Sequence, residues 1–194
     1  MDDGADSAGR RSRRVVLLGA PGSGKGTQAC FLAGDLGVPA ISTGDMLRSA
    51  VEDGSELGRQ VAGVMASGAL VADGLMAEVV RDRLSRADAK AGFVLDGYPR
   101  TAGQCRTLEA ILAESDGRLD AAVLLEVPVA VLVERALGRG RADDRDEVIR
   151  ERLRIYDEKT APVVDFYRER GLLSVVDGNR GVEVVTRAIL AVLG

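Results

Sequence analysis

The sequence predicts an α/β fold in which five parallel strands are covered by helices on both faces. Three observations carry this reading. Short runs that are apolar throughout recur along the 194 residues, stretches of helical period lie between them, and a glycine-rich turn links the first run to the first helical stretch. Strands buried on both faces read as unbroken apolar runs rather than as alternating patterns. Strands alternating with helices build a parallel sheet wrapped on both sides.

In chain order, Val15–Leu18 is the first predicted strand and residues 25–36 the first helix. Val38–Ile41 is a short strand, Gly92–Leu95 a strand ending at Asp96, Ala121–Val127 the fourth and Leu172–Val176 the last. Helical patterns follow the later strands over Val129–Leu137 and Val182–Leu193. Between Ile41 and Gly92 no strand signal occurs. Three helical patterns, Asp45–Val51, Glu56–Ala66 and Asp73–Ser85, are punctuated there by Gly54, Gly68 and Gly74. They predict a helical insertion on the functional edge of the sheet. Gly138-Arg139-Gly140-Arg141 is a tight crossing, and a long polar helix from about residue 143 to 170 should end or kink at Pro162.

Composition excludes several function classes. A net charge of -4 gives no overall basic field for nucleic acid, and 3% aromatic residues with no Trp leave little for base stacking. The absence of His removes the commonest general base and every His-dependent triad or zinc site. Cys30 and Cys105 form no CxxC pair and are expected to be buried small apolar residues in a reducing cytoplasm. No apolar run approaches the ~20 residues of a membrane span. Residues 1–13, with Arg10, Arg11 and Arg13, have no signal-peptide core and read as a solvated tail in preference to a nucleic-acid arm. The folded domain is then 14–194.

The stretch from Gly19 to Thr27, GAPGSGKGT, fits a phosphate-binding P-loop in its required setting, between a buried strand and a helix start. Glycines let consecutive N–H groups turn toward one anion, and the helix N-terminus adds partial positive charge. Lys25 supplies a mobile cation for a transferring phosphate. Lys25, Arg48, Arg100, Arg135, Arg139, Arg141 and Arg152 together could form a dense set of fixed cations, with the planar guanidinium suited to phosphate oxygens. Arg150 and Arg154 read as a solvated helix face.

Gly26 stands between Lys25 and Thr27, so the motif reads GKGT. This resembles adenylate kinases and their nucleoside monophosphate kinase relatives. STGDMLR (Ser42–Arg48), GALVADGLM (Gly68–Met76), GFVLDGYPRTAGQ (Gly92–Gln104) and GRADDRDEVIRERL (Gly140–Leu153) are similar in turn to the family's further signatures, as are YDEKTAPVVDFY and VDGNR. The resemblance spans Val15 to Gly194 and points to the short-lid, bacterial-type members. It implies a P-loop NTPase-type sheet with a core of 14–41, 72–137 and 145–194, a monophosphate-binding insertion over 42–71 and a short lid over 138–144.

What the resemblance implies for the site is reversible phosphoryl transfer from Mg-ATP to AMP. Gly22, Ser23, Gly24, Lys25, Gly26 and Thr27 would hold the ATP phosphates, with Arg135 and Arg139 facing ATP and Gly178 and Arg180 beside its adenine. Thr43, Arg48, Gly97, Tyr98, Pro99, Arg100 and Gln104 would bind AMP, with the backbone of Ala69, Leu70 and Val71. Arg141 and Arg152 would reach both phosphate chains, and Lys25, Arg100, Arg135, Arg141 and Arg152 would be catalytic. Asp96 would orient magnesium through water. Asp143 and Asp144 would serve the lid as hinge and pairing residues, and Arg145 has no assigned role. No zinc is expected, because the long ligand-bearing lid extension of other members is missing. Residues Thr43 and Gln104 favour AMP over the UMP or CMP of the pyrimidine kinases. A catalytically silent nucleotide-binding module is the alternative of another class. The expected enzyme is a cytoplasmic monomer acting on small molecules.

Overall fold

The computed structural model describes residues 13–141 and 144–194. Five parallel strands, β1 (Arg14–Leu18), β2 (Ala40–Ser42), β3 (Phe93–Asp96), β4 (Ala121–Glu126) and β5 (Leu173–Asp177), form one sheet in the order β2-β3-β1-β4-β5. The helices between them are α1 (Lys25–Leu36), α2 (Thr43–Glu52), α3 (Glu56–Ser67), α4 (Asp73–Ser85), α5 (Ala102–Ala113), α6 (Val129–Gly138), α7 (Asp146–Ile155), α8 (Ala161–Glu169) and α9 (Val182–Leu193).

Side chains alternate across the sheet and feed two cores. Val15, Leu17, Val94, Val123 and Leu125 face α1 and α9 through Leu32, Leu36, Val185 and Ile189. Val16, Leu18, Leu95, Ala122 and Leu124 face the opposite layer, where α4, α5 and α8 contribute Val80, Leu108, Val163 and Tyr167. Burial on both faces is why the strand sequences carry no polar alternation.

Two expectations are corrected, and the break expected near Pro162 is found. The second strand begins two residues later than Val38, because Val38 still donates its N–H to the α1 carbonyl of Ala33 after the left-handed Gly37. Pro39 then contributes only its carbonyl, which accepts from Val94 N–H at 2.9 Å. The long polar helix is two helices joined by a wide π-turn over Tyr156–Thr160, in which Ala161 N–H reaches back to Tyr156. Pro162, in the first turn of α8, can offer no N–H to the ladder, so the break falls there. Finally, Cys105 is buried but Cys30 is exposed.

Residues 42–71 contain a pair of helices, α2 and α3, pressed together at Gly58. A Cβ on Gly58 would lie 1.9 Å from the backbone oxygen of Ala50. Ser55 fixes the corner, capping α3 by accepting from Gly58 N–H and donating to Ala50 O at 2.9 Å. Because the obstacle is backbone, Gly58→Ala must spread the two helices. Overpacking of this kind costs about 1–3 kcal/mol, and at this chain length 1 kcal/mol moves Tm by roughly 2–4 °C. A drop of about 5 °C by scanning calorimetry is expected, and an unchanged Tm would show that the contact yields freely.

Candidate active site

The loop after β1 lies at the carboxyl end of the sheet, where successive connections leave β1 and β3 in opposite directions. Crevices at such switch points are where parallel α/β sheets take ligands. A cavity of about 700 Å³ opens there, within the range of small-ligand sites.

The loop packs onto bare backbone. Gly19 (φ +142) and Gly22 (φ +88) have left-handed or extended-positive conformations, and a Cβ on Gly22 would sit 2.4 Å from Leu132 O. No side chain has space there, so the glycines are required by contact as well as by φ. The ammonium of Lys25, first residue of α1, donates to Gly19 O (2.7 Å) and Ala20 O (3.0 Å), with Ser23 Oγ at 3.4 Å. Burial lowers its pKa from 10.5 to about 8. Asp96 opposes that shift, while Arg100, Arg139 and Arg141 add to it.

At the other end of the cavity, Ser42 caps α2 and Thr43 is buried. Thr43 Oγ1 lies 3.4 Å from Asp96 O, and a Cβ on Gly97 (φ +87) would be 2.6 Å from the same hydroxyl. The cis Tyr98-Pro99 bond turns the chain toward Arg100. Arg100 donates from Nε to Gly97 O at 2.7 Å, and its carbonyl accepts from Thr160 Oγ1 at 3.1 Å. Burial works against the Arg100 charge, Asp96 supports it, and Arg152 and Arg48 oppose it again. Its main-chain N–H donates to Gln104 Oε1 at 2.7 Å.

Two carboxylates organise the remaining arginines. Asp144, with its side chain 1% exposed, accepts from Arg139 Nε (3.0 Å) and Nη2 (2.5 Å) and from Arg141 N–H (3.0 Å), with Arg152 Nη1 at 3.8 Å. Asp45 pairs with Arg48 and meets Arg141 Nη2 at 3.4 Å. Arg135 donates to Gly178 O at 3.1 Å. Arg145 places Nη2 3.4 Å from Ala66 O at the end of α3. Arg150 and Arg154 pair with Asp146, Glu151 and Glu158 on an exposed face, as a solvated helix should.

Despite desolvation, the arginines hold the Asp45 and Asp144 pKa values below 3.8. Folded values below unfolded ones mean that the stabilisation is complete above pH 3.8. It is lost as pH falls through the folded values. Chemical denaturation at pH 6 and pH 3 should therefore show a smaller loss of stability on acidification in Asp45→Asn/Asp144→Asn than in the parent chain. Equal losses would remove these two groups from the acid response.

Of the residues singled out in the sequence, Gly22, Gly24, Lys25, Gly26, Thr27, Thr43, Arg48, Ala69, Leu70, Val71, Asp96, Gly97, Tyr98, Pro99, Arg100, Gln104, Arg135, Arg139, Arg141 and Arg152 line this cavity. Tyr98 does so while its ring is committed to the core at 1% exposure. Ser23, Gly178 and Arg180 line a neighbouring hollow of about 210 Å³ instead, which shares Gly24, Thr27 and Arg135 with the main one. Asp143 lies outside the described residues. Sequence reasoning missed Asp45, and it missed Asp73, which accepts from Gln104 Nε2 at 2.7 Å.

The adenylate kinase family model matches residues 17–172. The chain belongs to the adenylate kinase family. It is 50% identical to adenylate kinase 1 of Synechocystis sp. over 174 residues, 90% of this chain and 93% of that protein. It is 49% identical to an adenylate kinase of Stenotrophomonas maltophilia (93% and 98% covered) and 48% identical to one of Kocuria rhizophila (93% and 98%). As an adenylate kinase the chain is an ATP-using phosphotransferase with nucleotide substrates. Among the described residues no helix is long and apolar enough to cross a membrane.

Proposed function

We propose that this adenylate kinase transfers the terminal phosphoryl group of ATP directly to AMP, giving two ADP. The observation that carries this reading is that Lys25 at the P-loop end and Arg48 and Arg100 at the opposite end open into the same cavity. A phosphate oxygen of AMP attacks the terminal phosphorus as the bond to the bridging oxygen breaks and ADP departs with that oxygen. The attacking oxygen carries no proton near neutral pH, so no general base is required, in keeping with a chain that lacks His. The protein's work is alignment and neutralisation of like charges.

Gly22 to Thr27 hold the donor phosphates, and Lys25 leaves the loop carbonyls for the transferring group. Arg135 and Arg139 face ATP. Thr43, Arg48, Arg100 and Gln104 take AMP. Arg141 and Arg152, which share Asp144, span both phosphate chains. Gly178 and Arg180 flank the adenine of ATP. The insertion (42–71) and lid (138–144) close over the core to exclude water, and scattering that finds no compaction with two linked nucleotides would contradict this.

Magnesium fits the site. Asp96 projects from the end of β3 toward Gly26, whose Cβ position is 3.4 Å from Asp96 Oδ2. No cluster of three or more His, Cys, Asp or Glu able to hold a metal occurs among the described residues. One carboxylate through water, with substrate phosphates as the other ligands, is the coordination that magnesium accepts. It supplies charge neutralisation on the phosphate chain. The enzyme acts as a monomer in the cytoplasm.

Anionic phosphate beside Lys25 raises its pKa from about 8, so nucleotide binding takes up a proton above about pH 8 and affinity falls as pH rises through that value. Calorimetry at pH 8.5 in buffers of different ionisation enthalpy should show this uptake in the wild type and not in Lys25→Met. Equal uptake by the two proteins would remove Lys25 as the source.

A steady-state panel of AMP, UMP, CMP and GMP as acceptors tests the reading. AMP is expected to be the best. A far better rate with UMP or CMP would move the chain to pyrimidine nucleotide phosphorylation.

A further inference from the structure

We infer that Asp73, which lies outside the cavity, selects the acceptor base by locking the side-chain amide of Gln104 in one orientation. The inference rests on the reading of AMP as acceptor and of Gln104 as the residue facing its base.

Gln104 is 3% exposed, and both ends of its amide are tied. Oε1 accepts from Arg100 N–H at 2.7 Å, and Nε2 donates to Asp73 Oδ1 at 2.7 Å. Neither partner allows the reverse orientation. A main-chain N–H only donates and a carboxylate oxygen only accepts, so a flipped amide would set donor against donor and acceptor against acceptor. The Asp73 carboxylate is itself held, since Oδ2 accepts from Thr101 Oγ1 at 3.2 Å. Thr101 caps α5 by accepting from Gln104 N–H at 3.1 Å, so its hydroxyl proton is directed to Asp73. Asp73 is the first residue of α4 and thereby joins the starts of α4 and α5.

What Gln104 can still offer is one N–H and one oxygen lone pair. A 6-aminopurine presents the complement, an acceptor at N1 and a donor at N6. A 6-oxopurine presents the reverse, N1–H and O6, and could be matched only by the flipped amide. Asp73 is thus a positioning residue, and the property it sets is discrimination between 6-amino and 6-oxo bases. Mispaired polar groups in a closed site are costly enough to support such discrimination.

The test compares kcat/KM for AMP and IMP in the full-length wild-type chain, Asp73→Ala and Asp73→Asn. The wild type should prefer AMP strongly. Asp73→Ala should narrow the AMP:IMP ratio by about tenfold or more, because water can replace the carboxylate and can donate as well as accept. Asp73→Asn should restore most of the ratio, its Oδ1 accepting from Gln104 while Nδ2 donates to Thr101. A purely structural role would lower both substrates together and leave the ratio fixed. Asp73→Leu, which fills the position without an acceptor, gives the same comparison should Asp73→Ala fail to fold. An AMP-preferring wild type whose ratio is unchanged in the Ala and Leu variants would overturn the inference while sparing the reading of AMP as acceptor. A wild type that prefers UMP or CMP overturns both.

Discussion

Lys25→Met is expected to lower kcat by about three orders of magnitude, the scale lost when a preorganised charge on the transferring group is removed. The fold should survive. The Lys25 ammonium is tied to Gly19 O and Ala20 O, and Gly19 borders the cavity. Its charge is disfavoured there by burial and by the neighbouring arginines. Methionine keeps most of the volume and removes a desolvated cation, so thermal stability should hold or rise. A stopped-assay rate with a parallel melt decides this. A near-normal rate would take Lys25 out of the mechanism, and a collapsed fold would mean that the loop depends on it for structure.

Arg100→Met should be the second largest effect, a loss of about 10²–10³ in kcat/KM for AMP. Three features converge on this residue. Its Nε is anchored to Gly97 O, its guanidinium borders the cavity, and its carbonyl is held by Thr160. The fixed Nε leaves the outer nitrogens for the acceptor phosphate. Because the Arg100 charge too is disfavoured by burial, and by Arg152 and Arg48, the variant should melt no lower than the parent chain. If KM for AMP is unchanged and only kcat falls, Arg100 acts on the transition state alone and contributes nothing to ground-state binding.

Much of this arrangement was legible in the chain. Glycines of the loop declared themselves by spacing, and the unbroken apolar runs gave all five strands and the two-sided sheet. The errors were local competitions. Val38 read as strand because it is apolar, but its N–H belongs to the end of α1. The polar stretch from about residue 143 to 170 has helical period in both halves, and the end or kink expected at Pro162 is present as a break just before it. That break is the π-turn, and Pro162 lies in the first turn of the second half. Cys30 was expected inside because cysteine generally is, but its place on α1 faces solvent at the cavity rim.

What the chain could not show is pairing between residues distant in sequence. Asp73 sits inside a recognisable segment, yet nothing local says that its carboxylate will meet Gln104, 31 positions on. Asp45 looks like an ordinary first-turn acid, though it also meets Arg141 across 96 positions. Gly58 left a faint signal, a glycine within a helical pattern, which favours a close approach of another backbone. Only the tertiary structure identifies that backbone as Ala50.

The central claim is that the cavity concentrates cations at a cost to the empty protein, recovered when phosphates arrive. Thermal denaturation of the wild type, Lys25→Met and Arg100→Met tests it directly. Each is melted alone and with two adenosines joined through a polyphosphate chain. Without ligand both variants should melt at or above the wild type, and the ligand should raise the wild-type Tm far more than theirs. Variants that melt below the wild type when empty, yet gain as much from the ligand, would contradict the account.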